Sequence, residues 1–143
     1  MSPMHFRQIL ALLLLCCYLT TYAQRDTAYF MQNFRQGNLL HNAGKIDSSL
    51  LFYEKANAWS KQYPFFDTSK NVTELMSVMG RCYRLQNKPQ LAHDLLTKAL
   101  LNARTYHHVD AKPTIFKRLI ALHEYIAEKN LPFNYPPVLE TEL

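Results

Sequence analysis

Six histidines, three cysteines and a scatter of arginines are the groups in this chain best equipped for chemistry. His107 and His108 are adjacent, His93 stands upstream, and His123 precedes Glu124. Zinc catalysis on a helix sets two histidines four residues apart with a glutamate beside the first, because those positions share a face. No such His-Glu-x-x-His run occurs, and adjacent histidines on a helix point apart. A metal site is therefore not expected, and His123 reads as a half-buried packing residue. No Gly-x-Ser-x-Gly elbow, phosphate loop or dinucleotide fingerprint is present. A metal-dependent hydrolase is the weakest functional reading, the chain is expected not to be an enzyme, and no cofactor is implied. Cys16 and Cys17 lie in an N-terminal apolar run, so only Cys82 belongs to the rest of the chain. One cysteine closes no internal bridge, and its place in an apolar helix points to burial.

The elements that must position these groups follow from composition and period. A chain of 143 residues holds one domain, and a 48% hydrophobic content supplies a core. Only three glycines occur, too few turn residues for a sandwich of short strands. The expectation is an all-α chain.

Residues 1–23 read as a signal peptide. His5 and Arg7 make a short, weakly basic start, and Ile9 to Leu19 form an apolar run ending near Thr21 and Ala23. Such a run matches a signal core of roughly 7–15 residues and falls short of the ~20 needed to span a bilayer. The cut is expected after Ala23, giving a secreted or periplasmic protein with no stable membrane span. An uncleaved anchor is the rival; a lipoprotein signal is disfavoured because Leu15, not a small residue, precedes Cys16. Residues 24–130 are then one helical domain, and 131–143 a proline-rich tail.

Self-comparison exposes a repeat. Gly37, Gly80 and His123 recur at intervals of 43 residues, and so do Gly44, Asn87 and Asn130. Lys45 matches Lys88, Lys55 matches Lys98, and Ala56 matches Ala99 at the same spacing. Val72, Leu75, Met76, Met79 and Tyr83 form one helical face, and Leu91, Ala92, Leu95, Leu96, Ala99 and Leu100 another. Asn87 suits the left-handed position after a helix, and Pro89 suits the first turn of the next. The first copy predicts helices near 27–43 and 47–62, with Gly44 at the turn and Asp47 or Ser48 as cap. Ile115, Leu119, Leu122 and Ile126 mark a fifth helix that stops near Asn130, before the Pro132 to Pro137 segment.

These features resemble tetratricopeptide repeats over residues 27–130. Small residues at Gly37, Ser49, Ala56, Gly80, Ala92 and Ala99, with Gly44 and Asn87 at the turns, fill the positions where such helix pairs pack closely. His123 departs from the pattern, and Asn33 and Met76 stand where the family often has Trp. The 43-residue interval exceeds the family's roughly 34, because Tyr63–Ser69 and Tyr106–Lys112 are long. The resemblance implies an α–α superhelix (solenoid) of two helix-turn-helix repeats, a fifth helix and an extended tail. It implies a protein or peptide partner bound on the face lined by the first helix of each pair. By that analogy the inward residues are Asn38, His41 and Asn42, then Glu74, Ser77, Arg81 and Arg84, then Lys117, Ile120 and Glu124. Asn38, His41, Arg81 and Arg84 are the expected peptide contacts, since arginine grips carboxylates and asparagine bonds backbones. The family's carboxylate clamp wants a lysine where Phe34 stands.

The third copy lacks its second helix, so one side of the fifth helix needs cover. Phe133, Tyr135, Val138 and Leu139 are expected to fold back over it; a homodimer through the fifth helix or tail is the competing solution. The net charge of +5 is mild and spread along the chain, so nucleic acid is not an expected partner. The alternative to a binding module is a sensory or truncated remnant of a membrane-linked two-component regulator.

Overall fold

The computed structural model describes residues 3–134, and among them every regular element is helical. The order is α1 (Pro3–Asn42), α2 (Ile46–Ser60), α3 (Pro64–Asp67), α4 (Lys70–Leu85), α5 (Pro89–Thr105), a 3-10 turn (Val109–Ala111) and α6 (Lys112–Lys129). The first helix differs from the expected 27–43: it is continuous from Pro3. Between Pro3 and Gly37 no proline or glycine interrupts it, so nothing stops helical propagation across Gln24. Its buried positions among the described side chains begin at Phe30. No helix among the described residues is long and apolar enough to cross a membrane.

The turns repeat as the spacing predicts. Gly44, Asn87 and Asn130 each adopt positive φ, at 74°, 58° and 49°. At each, the following residue closes the same six-residue bond: Lys45 N–H to Leu40 O (2.9 Å), Lys88 to Tyr83 (2.9 Å) and Leu131 to Ile126 (3.1 Å). This is the Schellman closure, which satisfies carbonyls left open at a helix end. His107 does the same after α5 with φ of 57°, against its β-carbon's preference.

Helix α1 packs on α2 and α4 on α5; α4 also touches α2 and α6, and α6 lies against α5. The glycines set both hairpin contacts. A β-carbon at Gly37 would collide with Tyr53 Cε1, and one at Gly80 would meet Leu96 Cγ at 2.7 Å. Tyr53 and Leu96 are themselves 43 residues apart. The main core joins Phe30, Phe34, Tyr53, Trp59, Val72, Leu75, Met76 and Met79 to Leu100 and Ile115. Each such side chain, once fully buried, contributes about 1.5–3 kcal/mol.

Both long linkers are partly helical. Pro64 opens α3, where its fixed φ suits a first turn, and Phe66 packs edge-on against Phe30 (4.9 Å) and Trp59 (5.0 Å). In the second linker His108 Nδ1 bonds Thr73 Oγ1 at 3.0 Å, while Asn102 donates to Asp67 O at 3.1 Å. Ser69 caps α4 by accepting from Val72 N–H. The expected cap of α2 by Asp47 or Ser48 is corrected: Lys45 is the N-cap, with no side-chain bond. Asp47 instead accepts from Gln86 Nε2 at 2.6 Å and ties the first hairpin to α4. Leu91, expected on the α5 stripe, is exposed; Ala92, Leu96, Ala99 and Leu100 are buried.

A second cluster closes the far end. Ala92, Leu96, Leu122 and Ile126 are buried together, and Leu131 and Phe133 pack over them. His93, fully buried, stacks on half-buried His123 at 5.7 Å and 12°, and Phe133 meets His93 edge-on at 5.1 Å. The expected fold-back of the tail is thus seen at Phe133. Tyr135, Val138 and Leu139 lie outside the described residues.

Candidate functional site

Three helices turn polar side chains onto one cavity. Phe34 and Asn38 come from α1, Glu74, Ser77 and Val78 from α4, and Thr114, Ile115 and Arg118 from α6; Asp110 and Ala111 close one end. Their i, i+3 and i, i+4 spacings put each set on one helical face. The cavity measures about 270 Å³. Phe34, Ala111 and Ile115 are buried and form its apolar wall, so the hairpin core and the cavity floor are continuous.

Charge is arranged around that floor. Arg118 Nη1 donates to Ser77 Oγ at 2.6 Å, and no described carboxylate lies within ion-pair distance of it. Burial, then repulsion from Arg81, pulls the Arg118 guanidinium below its ordinary value; an arginine nonetheless stays charged in a protein. Asp110 is paired with Lys70 at 3.3 Å, but Glu74, half-buried, has no ion pair among the described residues. Tyr53 donates to Asn38 Oδ1 at 2.7 Å, which fixes that amide and leaves its Nδ2 donor for another acceptor.

Behind Asn38 sits a cysteine–histidine contact. Cys82 Sγ lies 3.3 Å from His41 Nδ1 and 3.7 Å from Ser49 Oγ. Burial raises the Cys82 thiol, while burial, then Arg81 and Arg118, lowers His41. The pair is therefore neutral, a thiol beside an imidazole. A nucleophilic cysteine needs thiolate and access, and Cys82 is fully buried, as its apolar helix predicts. Among the described residues no three His, Cys, Asp or Glu side chains gather where they could hold a metal ion.

Of the four expected contact residues, Asn38 is in the cavity wall, His41 and Arg81 are not among its lining residues, and His41 is in contact with Cys82. Arg84 sits elsewhere, with its guanidinium 5.8 Å over the Tyr125 ring. On α6 the inward residues are Thr114 and Arg118; Lys117, Ile120 and Glu124 are exposed and do not line the cavity. The signal for Arg118 was present. At about 100° per residue it falls about 60° from the centre of the Ile115–Leu122–Ile126 stripe, whereas Lys117 falls nearly opposite. Carrying the register over from the earlier repeats misplaced it.

No family model, characterised protein or solved structure matches the chain.

Proposed function

We propose that this protein is an exported helical-repeat module of the tetratricopeptide type that binds a protein or peptide partner. The binding surface is the shared face of α1, α4 and α6, the first helices of successive repeats, and the stacked pairs form a short solenoid. One observation carries the reading. Arg118 shares the cavity wall with Asn38, the charge of Arg81 acts on it, and neither guanidinium has an ion pair among the described residues. Unpaired guanidinium groups next to a fixed amide suit an extended segment bearing acidic side chains, because charge-assisted bonds to carboxylates are the stronger kind.

Selection of random peptides on the immobilised full-length protein tests the reading. The expected result is enrichment of acidic peptides whose affinity, by fluorescence anisotropy, falls at least about tenfold in Arg81→Glu; a lost charged bond is worth about 1.5–3 kcal/mol. Arg84→Glu, at a residue engaged with Tyr125, is expected to change affinity by less than about threefold. Failure to enrich any peptide, or equal binding by Arg81→Glu, contradicts the reading.

A further inference from the structure

His93 is a fully buried imidazole, and neither of its ring nitrogens has a hydrogen-bond partner among the described residues. A neutral imidazole offers one donor and one acceptor, so burial here leaves both unanswered. Two rings enclose it: His123 of α6 stacks at 5.7 Å and 12°, and Phe133 stands edge-on at 5.1 Å. Leu131 and Phe133 also cover the apolar set Ala92, Leu96, Leu122 and Ile126. The walls differ in what holds them. Helices α5 and α6 have 17 and 18 residues and bury a stripe along their length, whereas Phe133 is a half-buried ring three residues past the left-handed Asn130.

We propose that Phe133 is an acid-released latch: it covers His93 while the two imidazoles are neutral and lifts when they are protonated, exposing the apolar set beneath. An imidazolium enclosed without hydrogen bonds costs more than exposing one half-buried ring, and moving Phe133 disturbs less than parting α5 from α6. A second proton, on His123, sets like charges across the stack and adds to the opening force. Two charged or titratable groups act on His93: His123 from α6 and Asp94 on its own helix. Asp94 Oδ1 lies 3.9 Å from Nδ1, too far for a hydrogen bond, and accepts from Gln90 Nε2 at 3.2 Å. No charge from α4 acts on His93 among the described residues, and residues 131–134 of the tail carry none. Burial, then His123, lowers His93 against the raising influence of Asp94, and burial lowers His123. The closed form is therefore complete above about pH 6.5 and is lost as pH falls. The latch is separate from the proposed peptide face, since His123 projects about 140° around α6 from Arg118.

Nuclear magnetic resonance of the full-length protein, titrated from pH 7 to pH 5, tests the latch. The Overhauser contact between the His93 and Phe133 rings is expected to vanish at the midpoint where the His93 Cε1 proton titrates. The contact between Phe30 and Phe66, 4.9 Å apart in the main core, is expected to persist, which separates a lifted tail from general unfolding. In His93→Leu the packing of Phe133 on position 93 is expected to survive at pH 5. Asp94→Asn changes an exposed side chain and removes a charge that favours the imidazolium, so its opening midpoint is expected at lower pH. A Phe133 contact that outlasts His93 protonation, a His93 that stays neutral to pH 5, or loss of the Phe30–Phe66 contact at the same midpoint each overturns the proposal. So does release of Phe133 in His93→Leu, or an Asp94→Asn midpoint that is unchanged or higher.

Discussion

The two complete hairpins and the lone α6 solve the same packing problem with opposite means. In α1–α2 and α4–α5, a glycine on the first helix lets the second helix approach until Tyr53 or Leu96 lies against bare backbone. At the equivalent position of the third unit stands His123, and no further described helix follows α6. Its neighbours are instead another imidazole, His93, and a phenyl ring from the tail, Phe133. Where a partner helix is present the site is small and apolar; where none is described, a bulky ring fills the gap with help from Phe133. The difference shows that the glycine position of the repeat can carry a large ring where the packing partner is a ring rather than a closely approaching helix.

Substitutions can break that contrast in order of size. The largest effect is expected for Gly80→Val. Its β-carbon would sit 2.7 Å from Leu96 Cγ and 3.1 Å from the Ala92 carbonyl, and backbone yields little. Overpacking of this kind costs about 3 kcal/mol. His123→Ala, at a half-buried site, is expected to cost about 1 kcal/mol. Urea midpoints measure both, and equal losses would remove the distinction between the units.

Next comes the tail ring. Phe133→Ala is expected to cost about 1–2 kcal/mol, below the full-burial value because the ring is half-buried. Hydrogen exchange should show faster exchange in α6 while α1 and α2 stay unchanged. Uniform acceleration across all helices would mean that the tail does not cap α6 specifically.

Acid should act at the same end. Burial, then His123, lowers His93, against the raising influence of Asp94; burial also lowers His123. Folded values below the unfolded value near 6.5 mean the unfolded chain binds protons first. Stability is therefore complete above about pH 6.5 and declines as pH falls below it. His41 shifts in the same direction and adds to the trend. His93→Leu is expected to flatten, without abolishing, the fall in melting temperature between pH 7 and pH 5. An unchanged slope would place the effect elsewhere.

The smallest effect tests what the units share. Asn87, at φ of 58°, is expected to lose about 1 kcal/mol as Asn87→Ala, since a β-carbon disfavours the left-handed region. Asn87→Gly should change stability by only a few tenths of a kcal/mol, because the loss of the 3.1 Å bond from Tyr125 offsets the relieved backbone. Thermal melts of the two variants check the order.

What the sequence made legible was the turn geometry and the core stripes. Gly44, Asn87 and Asn130 announce helix ends because left-handed backbone demands particular residues, and Val72 to Met79 announce a face because helical period is rigid. The cap of α2 was misread because Asp47 and Ser48 have capping chemistry but fall within the helix, behind Lys45. The site was half legible. Repeat analogy put Asn38 on the helix face that lines the cavity, but Arg81 does not line it, and Arg118 was missed because α6 turns its cavity side by one residue against the earlier register. Its bond to Ser77 joins helices 41 residues apart, and no local period encodes such a contact. Arg84 was chosen for its charge, and only packing against α6 reveals its commitment to Tyr125.

The most direct test of the binding face is an amide chemical-shift map of the labelled protein titrated with a selected acidic peptide. The account predicts shifts concentrated at residues 34–42, 74–81 and 114–118, on α1, α4 and α6. Shifts centred on α2 and α5 would contradict it.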